Sequence, residues 1–331
     1  MTTSSSRQAS DIEPLESYET APYNGGRSRV VRRLAMLIVL SLGVAELLRR
    51  ADRSRSALRM LRSPAPGWLA LCVAATAATY VMAAIGMIGA THAPLRFGRT
   101  LVVQIASALT NRLAPGGIGG TALNVRFLQR SGIQRTDAVA SVTLNAAAGL
   151  IVHVIAFIAI LPFFGGLHRD IDPNDDIAML VGVIVAFVVA GTVTWARIVP
   201  RRWKEPVRTV RRTLVATLRR PRRAAALFGG SAGVTGAHTL ALCGALRSVG
   251  ATTSILDVAI IYLGAAAIGS ISPTPGGLGA FEAALVTGLS KAATPAGTAA
   301  AAVVLYRIIS FWLPVLPGAF AFGRLRRRGL I

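Results

Sequence analysis

The chain has 331 residues, of which 53% are hydrophobic and 15% charged, with a mean hydropathy of +0.56. These values exclude an ordinary soluble domain and fit an all-α polytopic membrane protein. The net charge is +22, from 36 Lys+Arg against 14 Asp+Glu. The arginines stand mainly between apolar segments, where the positive-inside bias puts them, so the excess does not call for a nucleic-acid partner.

In chain order, residues 1–29 are polar, carry Asp11, Glu13, Glu16 and Glu19, and read as a disordered cytoplasmic tail. Apolar segments follow at about 34–48, 65–90, 98–130, 137–164, 177–199, 224–248, 256–290 and 295–322. That is six to eight membrane segments in one membrane domain over 30–325, given that about 20 residues are needed to cross the hydrocarbon. The first is expected to act as an uncleaved anchor. Residues 200–223 hold ten Lys or Arg residues, Arg201 to Arg223, and read as a basic cytoplasmic loop or a helix on the membrane surface.

Two of the long segments are broken. Pro115-Gly116-Gly117-Ile118-Gly119 returns 160 positions later as Pro275-Gly276-Gly277-Leu278-Gly279. Proline removes a backbone donor, and glycine costs about 1 kcal/mol inside a helix. At membrane depth such a break is tolerated only where it is buried in protein or lines a wet cavity. The same offset maps 65–90 onto 225–250 and 137–164 onto 297–324, all apolar. Two divergent repeat units, about 65–164 and 225–324, are therefore expected, with 177–199 as connector. Matched breaks in two halves point to a transporter binding site.

Charge bias addresses the topology. The loop 165–176 holds four aspartates against Arg169 and is expected outside; the loop 200–223 and the tail with Arg324, Arg326, Arg327 and Arg328 are expected inside. If each broken segment is a re-entrant hairpin, the repeats are inverted and both termini are cytoplasmic, at the cost of placing the arginines between Arg49 and Arg62 outside. If each crosses fully, the repeats are parallel. The inverted arrangement is favoured; in it the two Pro-Gly-Gly tips meet near the midplane.

The helix after each break would aim free N–H groups at the middle of the bilayer, which suits a phosphate; the bland alternative is that the glycines only permit close packing. The neighbours are polar for such a depth. Gln104, Thr110, Asn111, Arg112, Asn124 and Arg126 surround the first copy; Ser270, Ser272, Thr274 and Glu282 surround the second; Tyr306-Arg307 interrupts an apolar run. Ionisable groups in the membrane are functional candidates by default. The candidate substrate-binding set is thus Asn111, Arg112, Pro115, Gly116, Gly117, Gly119, Asn124, Arg126, Thr274, Pro275, Gly276, Gly277, Gly279, Glu282, Tyr306 and Arg307. Arg112, three residues before the proline, is the foremost phosphate candidate, and Glu282 the natural partner of Arg307. Arg126, with Arg130, also reads as a marker of the hairpin's cytoplasmic end, and Asn145, His153, His238 and Glu46 as interhelical hydrogen bonders. Cys72 and Cys243 make no disulfide framework, and the four histidines have no metal-ligand spacing. No nucleotide loop, H-E-x-x-H or G-x-S-x-G occurs, so no catalytic residue, metal or cofactor is expected.

Asn111 to Gly120 and Pro273 to Glu282 resemble the two signature segments of the lysylphosphatidylglycerol synthase transmembrane (flippase-like) family, and Tyr306-Arg307 matches that family's habit in its last helix. The resemblance covers roughly 30–325. In bifunctional members the membrane domain is thought to move aminoacylated phosphatidylglycerol between leaflets, while a soluble C-terminal domain makes that lipid. With the sequence stopping at Ile331, the resemblance implies a stand-alone member that handles lipid without aminoacylating it.

The expectation is a lipid translocase rather than an enzyme, in a bacterial inner membrane, moving a phospholipid or another phosphate-headed lipid past the two breaks. Its partners would be anionic or aminoacylated phospholipids or a polyprenyl-phosphate lipid, with a homo-oligomer left open. Three alternatives stand beside it: an integral-membrane transferase using a polyprenyl-phosphate sugar, a lipid-binding regulatory subunit, and a transporter of small anions.

Overall fold

Proline opens two of the long helices among the described residues. Pro66 and Pro221 each sit in the first turn, where a missing N–H costs nothing. The computed structural model describes residues 64–113, 118–160, 212–272 and 274–331, all within one compact unit, Gly43–Ile331. The tail 1–29, the segments at 34–48 and 177–199 and the acidic loop 165–176 lie outside the described residues.

The described residues are mostly helical, with no strand among them. The helices are α1 Pro66–Ala90, α2 Phe97–Leu113, α3 Ile118–Arg130, α4 Arg135–Ile160, α5 Pro221–Ser248, α6 Ile255–Ile271, α7 Ala280–Lys291, α8 Ala296–Arg307 and α9 Val315–Arg327. A helical stretch over 212–218 precedes α5, so the basic run at 200–223 is helical in its described part and already belongs to α5 from Pro221. A 3₁₀ turn, Pro275–Gly277, joins α6 to α7, and a π turn, Ile308–Trp312, joins α8 to α9. Among the described residues, three stretches are long and apolar enough to cross a bilayer: Pro66–Ala90, Arg135–Ile160 and Ala296–Arg327. α4 turns Leu150, Ile151, Ile155 and Ile158 outward, as a lipid-facing helix does.

α1 and α5 form the spine. A Cβ added at Gly244 would lie 2.9 Å from the Cys72 nitrogen and the Trp68 carbonyl, one at Gly233 2.6 Å from Met82 Cγ, and one at Gly230 2.6 Å from Gly86 Cα. Numbers rise along α1 as they fall along α5, so the two helices run antiparallel with their backbones nearly touching. Close approach through small residues is how helices associate where lipid removes the hydrophobic incentive. Gly230→Val is expected to force the pair apart, because its Cβ would also lie 2.8 Å from the Met82 carbonyl; an overpacking cost of about 1–3 kcal/mol would appear as a lowered melting temperature of the detergent-purified protein.

Each broken segment folds back on itself. In the first, Gln104 Nε2 donates to Asn124 Oδ1 at 2.9 Å, and Asn111 Oδ1 accepts from the Gly120 N–H at 2.7 Å. In the second, Phe281 packs against Gly269 and Ile261 against Gly288. Both sets of pairs are centred on the breaks, so α2/α3 and α6/α7 are antiparallel helical hairpins.

The hairpins start from opposite ends of the bundle. Met87, Val103, Leu128, Ala138 and Leu325 share one core, which gathers the end of α1, the start of α2, the end of α3, the start of α4 and the end of α9. Arg223 at the start of α5 joins that end by donating to the His92 carbonyl at 2.8 Å. Burial, and then the Arg223 and Arg220 charges, hold the His92 imidazole below its ordinary pKa of 6.5. At the other end the Ala65 N–H, before α1, donates to the Ser248 carbonyl at the close of α5 at 2.9 Å, just ahead of α6. Arg96, Arg99, Arg130, Arg135, Arg219, Arg220, Arg222, Arg223, Arg324, Arg326 and Arg327 thus crowd the end from which the first hairpin rises, and the second descends from the other.

Candidate functional site

Three glycines shape the tip of the second hairpin. Gly276, Gly277 and Gly279 have φ of +65°, +69° and +89°, a left-handed backbone that costs other residues about 1–3 kcal/mol. The turn is tied by the Gly277 N–H donating to the Thr274 carbonyl at 3.0 Å and by the Thr274 hydroxyl donating to the Leu278 carbonyl at 2.9 Å. Ser272 Oγ stands 2.8 Å from Thr274 Oγ1. Space is as tight as conformation: a Cβ on Gly276 would strike the Phe311 ring, and one on Gly277 would lie 2.8 Å from the Gly269 carbonyl. Gly276→Ala is therefore expected to lower the melting temperature and to displace Phe311, a change visible in tryptophan emission because Trp312 packs on that ring at 5.0 Å.

Phe311 belongs to the π turn, and the turn has a local cause. Pro314 lacks the N–H that would satisfy the Ser310 carbonyl four residues earlier, while the Leu313 N–H reaches back five residues to the Ile308 carbonyl at 2.8 Å. The freed Ser310 carbonyl accepts instead from Arg112 Nη2 at 3.0 Å. Arg112 Nη1 donates to the Ala108 carbonyl at 2.7 Å; Tyr80 of α1 stands beside the guanidinium, and Nε is buried without a hydrogen-bond partner.

Arg307, one turn before Phe311, is 6% exposed. Its Nε pairs with Glu282 Oε1, and its Nη2 donates to the Gly276 carbonyl at 3.3 Å. Its guanidinium lies 4.3 Å from the Phe311 ring centre and 4.9 Å from that of Phe281. Arg112 lies 4.7 Å from the same Phe311 ring. One phenyl ring thus seats two guanidinium groups, one carried by the first hairpin and one by α8. Cation–π contact of this kind is worth about 0.5–2 kcal/mol each.

These groups wall a cavity of about 410 Å³, within the usual range for small-molecule sites. Arg112, Thr274, Gly276, Gly277, Tyr306 and Arg307 of the predicted set line it, together with Ser270, Ser272, Ser310, Phe311, Phe281, Tyr262 and His238. The Tyr306 hydroxyl stands 3.0 Å from His238 Nδ1, and His238 stacks on Tyr262 with ring centres 5.6 Å apart. Two positive charges therefore face the cavity. The acid nearest to them, Glu282, is bound to Arg307, and among the described residues no carboxylate pairs with Arg112.

Other predicted residues serve the hairpins. Asn124, 6% exposed, donates to Ser107 Oγ at 3.1 Å and to the Gly120 carbonyl at 2.8 Å, clasping α2 to α3. Asn111 holds the Gly120 N–H. Arg126 is exposed on α3 and Gly119 half-buried; neither lines the cavity. Pro115, Gly116 and Gly117 lie outside the described residues, and of Pro275 only its backbone, in the 3₁₀ turn, is described.

At each helix start one amide is taken from within its own hairpin. Glu282 Oε2 accepts from the Gly279 N–H at 2.6 Å, and Asn111 occupies the Gly120 N–H. Both groups are satisfied from within their hairpins, and the charged groups that line the cavity are the guanidinium groups of Arg112 and Arg307. Phe311, Ser310 and Tyr262 escape sequence reasoning. The one local signal for Phe311 is an aromatic four residues after a membrane arginine, ahead of a proline. His238 is the interhelical hydrogen bonder expected of it and a cavity wall as well; His153 likewise meets the Leu263 carbonyl at 3.2 Å.

Comparison with curated proteins finds no match. The lysylphosphatidylglycerol synthase TM region family matches residues 30–318, a stretch that holds both hairpins, Glu282, Arg307 and the π turn. With its apolar helices and this match, the chain is a membrane protein of the lysylphosphatidylglycerol synthase TM region family, a family tied to lipid modification or lipid handling.

Proposed function

We propose that the protein is a lipid translocase that passes a phosphate-bearing head group through the cavity between the two hairpins while the acyl chains stay in the bilayer. The observation that carries this reading is the seating of Arg112 and Arg307 on one ring, in a cavity built from both broken segments. Supporting it, α2 and α6 have 17 residues and α3 and α7 have 13 and 12. Seventeen residues give roughly 25 Å of helix, short of the ~30 Å hydrocarbon, and each arm packs on its own partner. We read both as re-entrant hairpins entering from opposite faces, and the repeat as inverted, as the antiparallel α1 and α5 suggest. The arginine-rich end is the cytoplasmic face of a bacterial inner membrane in this reading. Translocation forms no new bond, and among the described residues the cavity wall offers no free carboxylate to act as a general base.

The test is reconstitution of the full chain into phosphatidylcholine vesicles carrying a trace of fluorescent phosphatidylglycerol, with the outer leaflet quenched by dithionite. Quenching beyond the outer half, absent from protein-free vesicles, is the expected result. Quenching that stops at half rejects translocation.

A further inference from the structure

We infer that His238 is a proton-binding residue of the cavity: one proton settles on its imidazole as a phosphate anion enters and departs as the anion leaves, so that the two cross together. The inference rests on the translocation reading and adds its coupling.

Position is the first ground. His238 is the one ionisable side chain of α5 between Arg223 and Cys243, and it lines the cavity with Arg112 and Arg307. Two other helices hold its ring. Tyr262 of α6 stacks on one face, tilted by 17°, and the Tyr306 hydroxyl of α8 meets Nδ1 at 3.0 Å. The Ser310 and Tyr262 hydroxyls stand beside that of Tyr306. The Tyr306 O–H can therefore point at a bare Nδ1, or turn to a neighbouring hydroxyl and accept when Nδ1 carries a proton. The ring is thus seated in both of its forms.

Charge is the second. Arg112 of α2, Arg307 and Tyr306 of α8 and Tyr262 of α6 share the cavity wall with His238. Glu282 of α7 is bound to Arg307. On α1, Tyr80 stands beside Arg112 and Cys72 near Tyr306; on α4, His153 meets the Leu263 carbonyl. Glu282 offsets the Arg307 charge, so Arg112 and a protonated His238 would be two cations with no carboxylate for either among the described residues. A proton on His238 adds a like charge to the empty cavity, but it gives an entering phosphate a second cationic partner. Proton and anion favour each other, and each strengthens the other's binding by the same factor.

The third ground is that imidazole is the one side-chain type on this wall that ordinarily changes charge between about pH 5 and 8.

The experiment follows retention of fluorescent phosphatidylglycerol by the detergent-purified full chain from about pH 5.5 to about pH 8, the range of imidazole. Retention is expected to fall by at least about tenfold as pH rises. His238→Gln, polar but unable to titrate, is expected to flatten the profile, and His92→Gln, at the arginine-rich end, to keep it. A further arm needs no variant: in weak buffer with a pH indicator, the chain is expected to take up protons when phosphatidylglycerol is added. A flat profile or no proton uptake overturns the inference, and if the tracer still crosses vesicles the translocation reading survives it. A pH profile that folded His238→Gln retains overturns it as well. Proton uptake with glycerophosphoglycerol, the free head group, but none with phosphatidylglycerol would support the coupled proton and overturn the lipid reading. Failure of folded protein to retain phosphatidylglycerol at any pH overturns both.

Discussion

Arg112→Ala is expected to reduce retention of phosphatidylglycerol by at least ten- to a hundredfold and to stop its transbilayer movement, with the helical fold intact. A charge-assisted hydrogen bond contributes about 1.5–3 kcal/mol, and a phosphate beside Arg112 would draw on the one guanidinium of the cavity without a carboxylate partner. The side chain also binds structure, through the Ala108 and Ser310 carbonyls. Its loss leaves the Ser310 carbonyl unpaired, at about 1–3 kcal/mol, and a modest fall in melting temperature is expected beside the functional loss. Arg112→Lys separates the two effects. It restores the charge but not the flat, forked donor set that rests on Phe311, so retention is expected to recover only in part. Lipid retention by mass spectrometry and circular dichroism of the same samples check both statements. Full retention by Arg112→Ala would remove Arg112 from the site.

Glu282→Ala is expected to give the largest loss of stability of any single change at the site. Glu282 is 9% exposed and Arg307 6%, and the carboxylate serves both Arg307 and the Gly279 N–H. Removing one partner of a buried pair strands the other charge, at about 3–5 kcal/mol. Replacing both members by apolar residues of similar volume is far less damaging. The Glu282→Leu/Arg307→Met double variant should therefore melt above Glu282→Ala while binding no anionic lipid. Thermal unfolding of the three proteins in one detergent checks the order. A double variant less stable than Glu282→Ala would show that the two side chains act apart.

Much of the helical frame was legible because its signals are local. The two Pro-Gly-Gly runs and the apolar stretches place most described helix ends within a few residues. The pairing of Glu282 with Arg307 was also legible, since two opposite charges in apolar surroundings have few other partners. What stayed hidden is tertiary or competitive. Arg112 reaches a carbonyl 198 positions away, and nothing near residue 112 announces it. Phe311 lies beside both guanidinium groups only because Pro314 opens a π turn under it. An amide at a helix start shows its occupant only in three dimensions: Asn111 takes the Gly120 N–H and Glu282 the Gly279 N–H. Asn124, polar and deep, was open to reading as a ligand, and its partners Gln104, Ser107 and Gly120 make it the clasp of the first hairpin.

The central claim is that lipid head groups enter the cavity between the hairpins. It is tested most directly by photolabelling the full chain in vesicles with phosphatidylglycerol bearing a photoreactive group on its glycerol head, and mapping the labelled residues by peptide mass spectrometry. Labels on Ser270, Ser272, Thr274 or Phe311, reduced in Arg112→Ala, are the predicted result. Labels confined to outward residues such as Leu150, Ile155, Leu316 and Phe320, unchanged by the substitution, would contradict it and leave the lipid as no more than the protein's solvent.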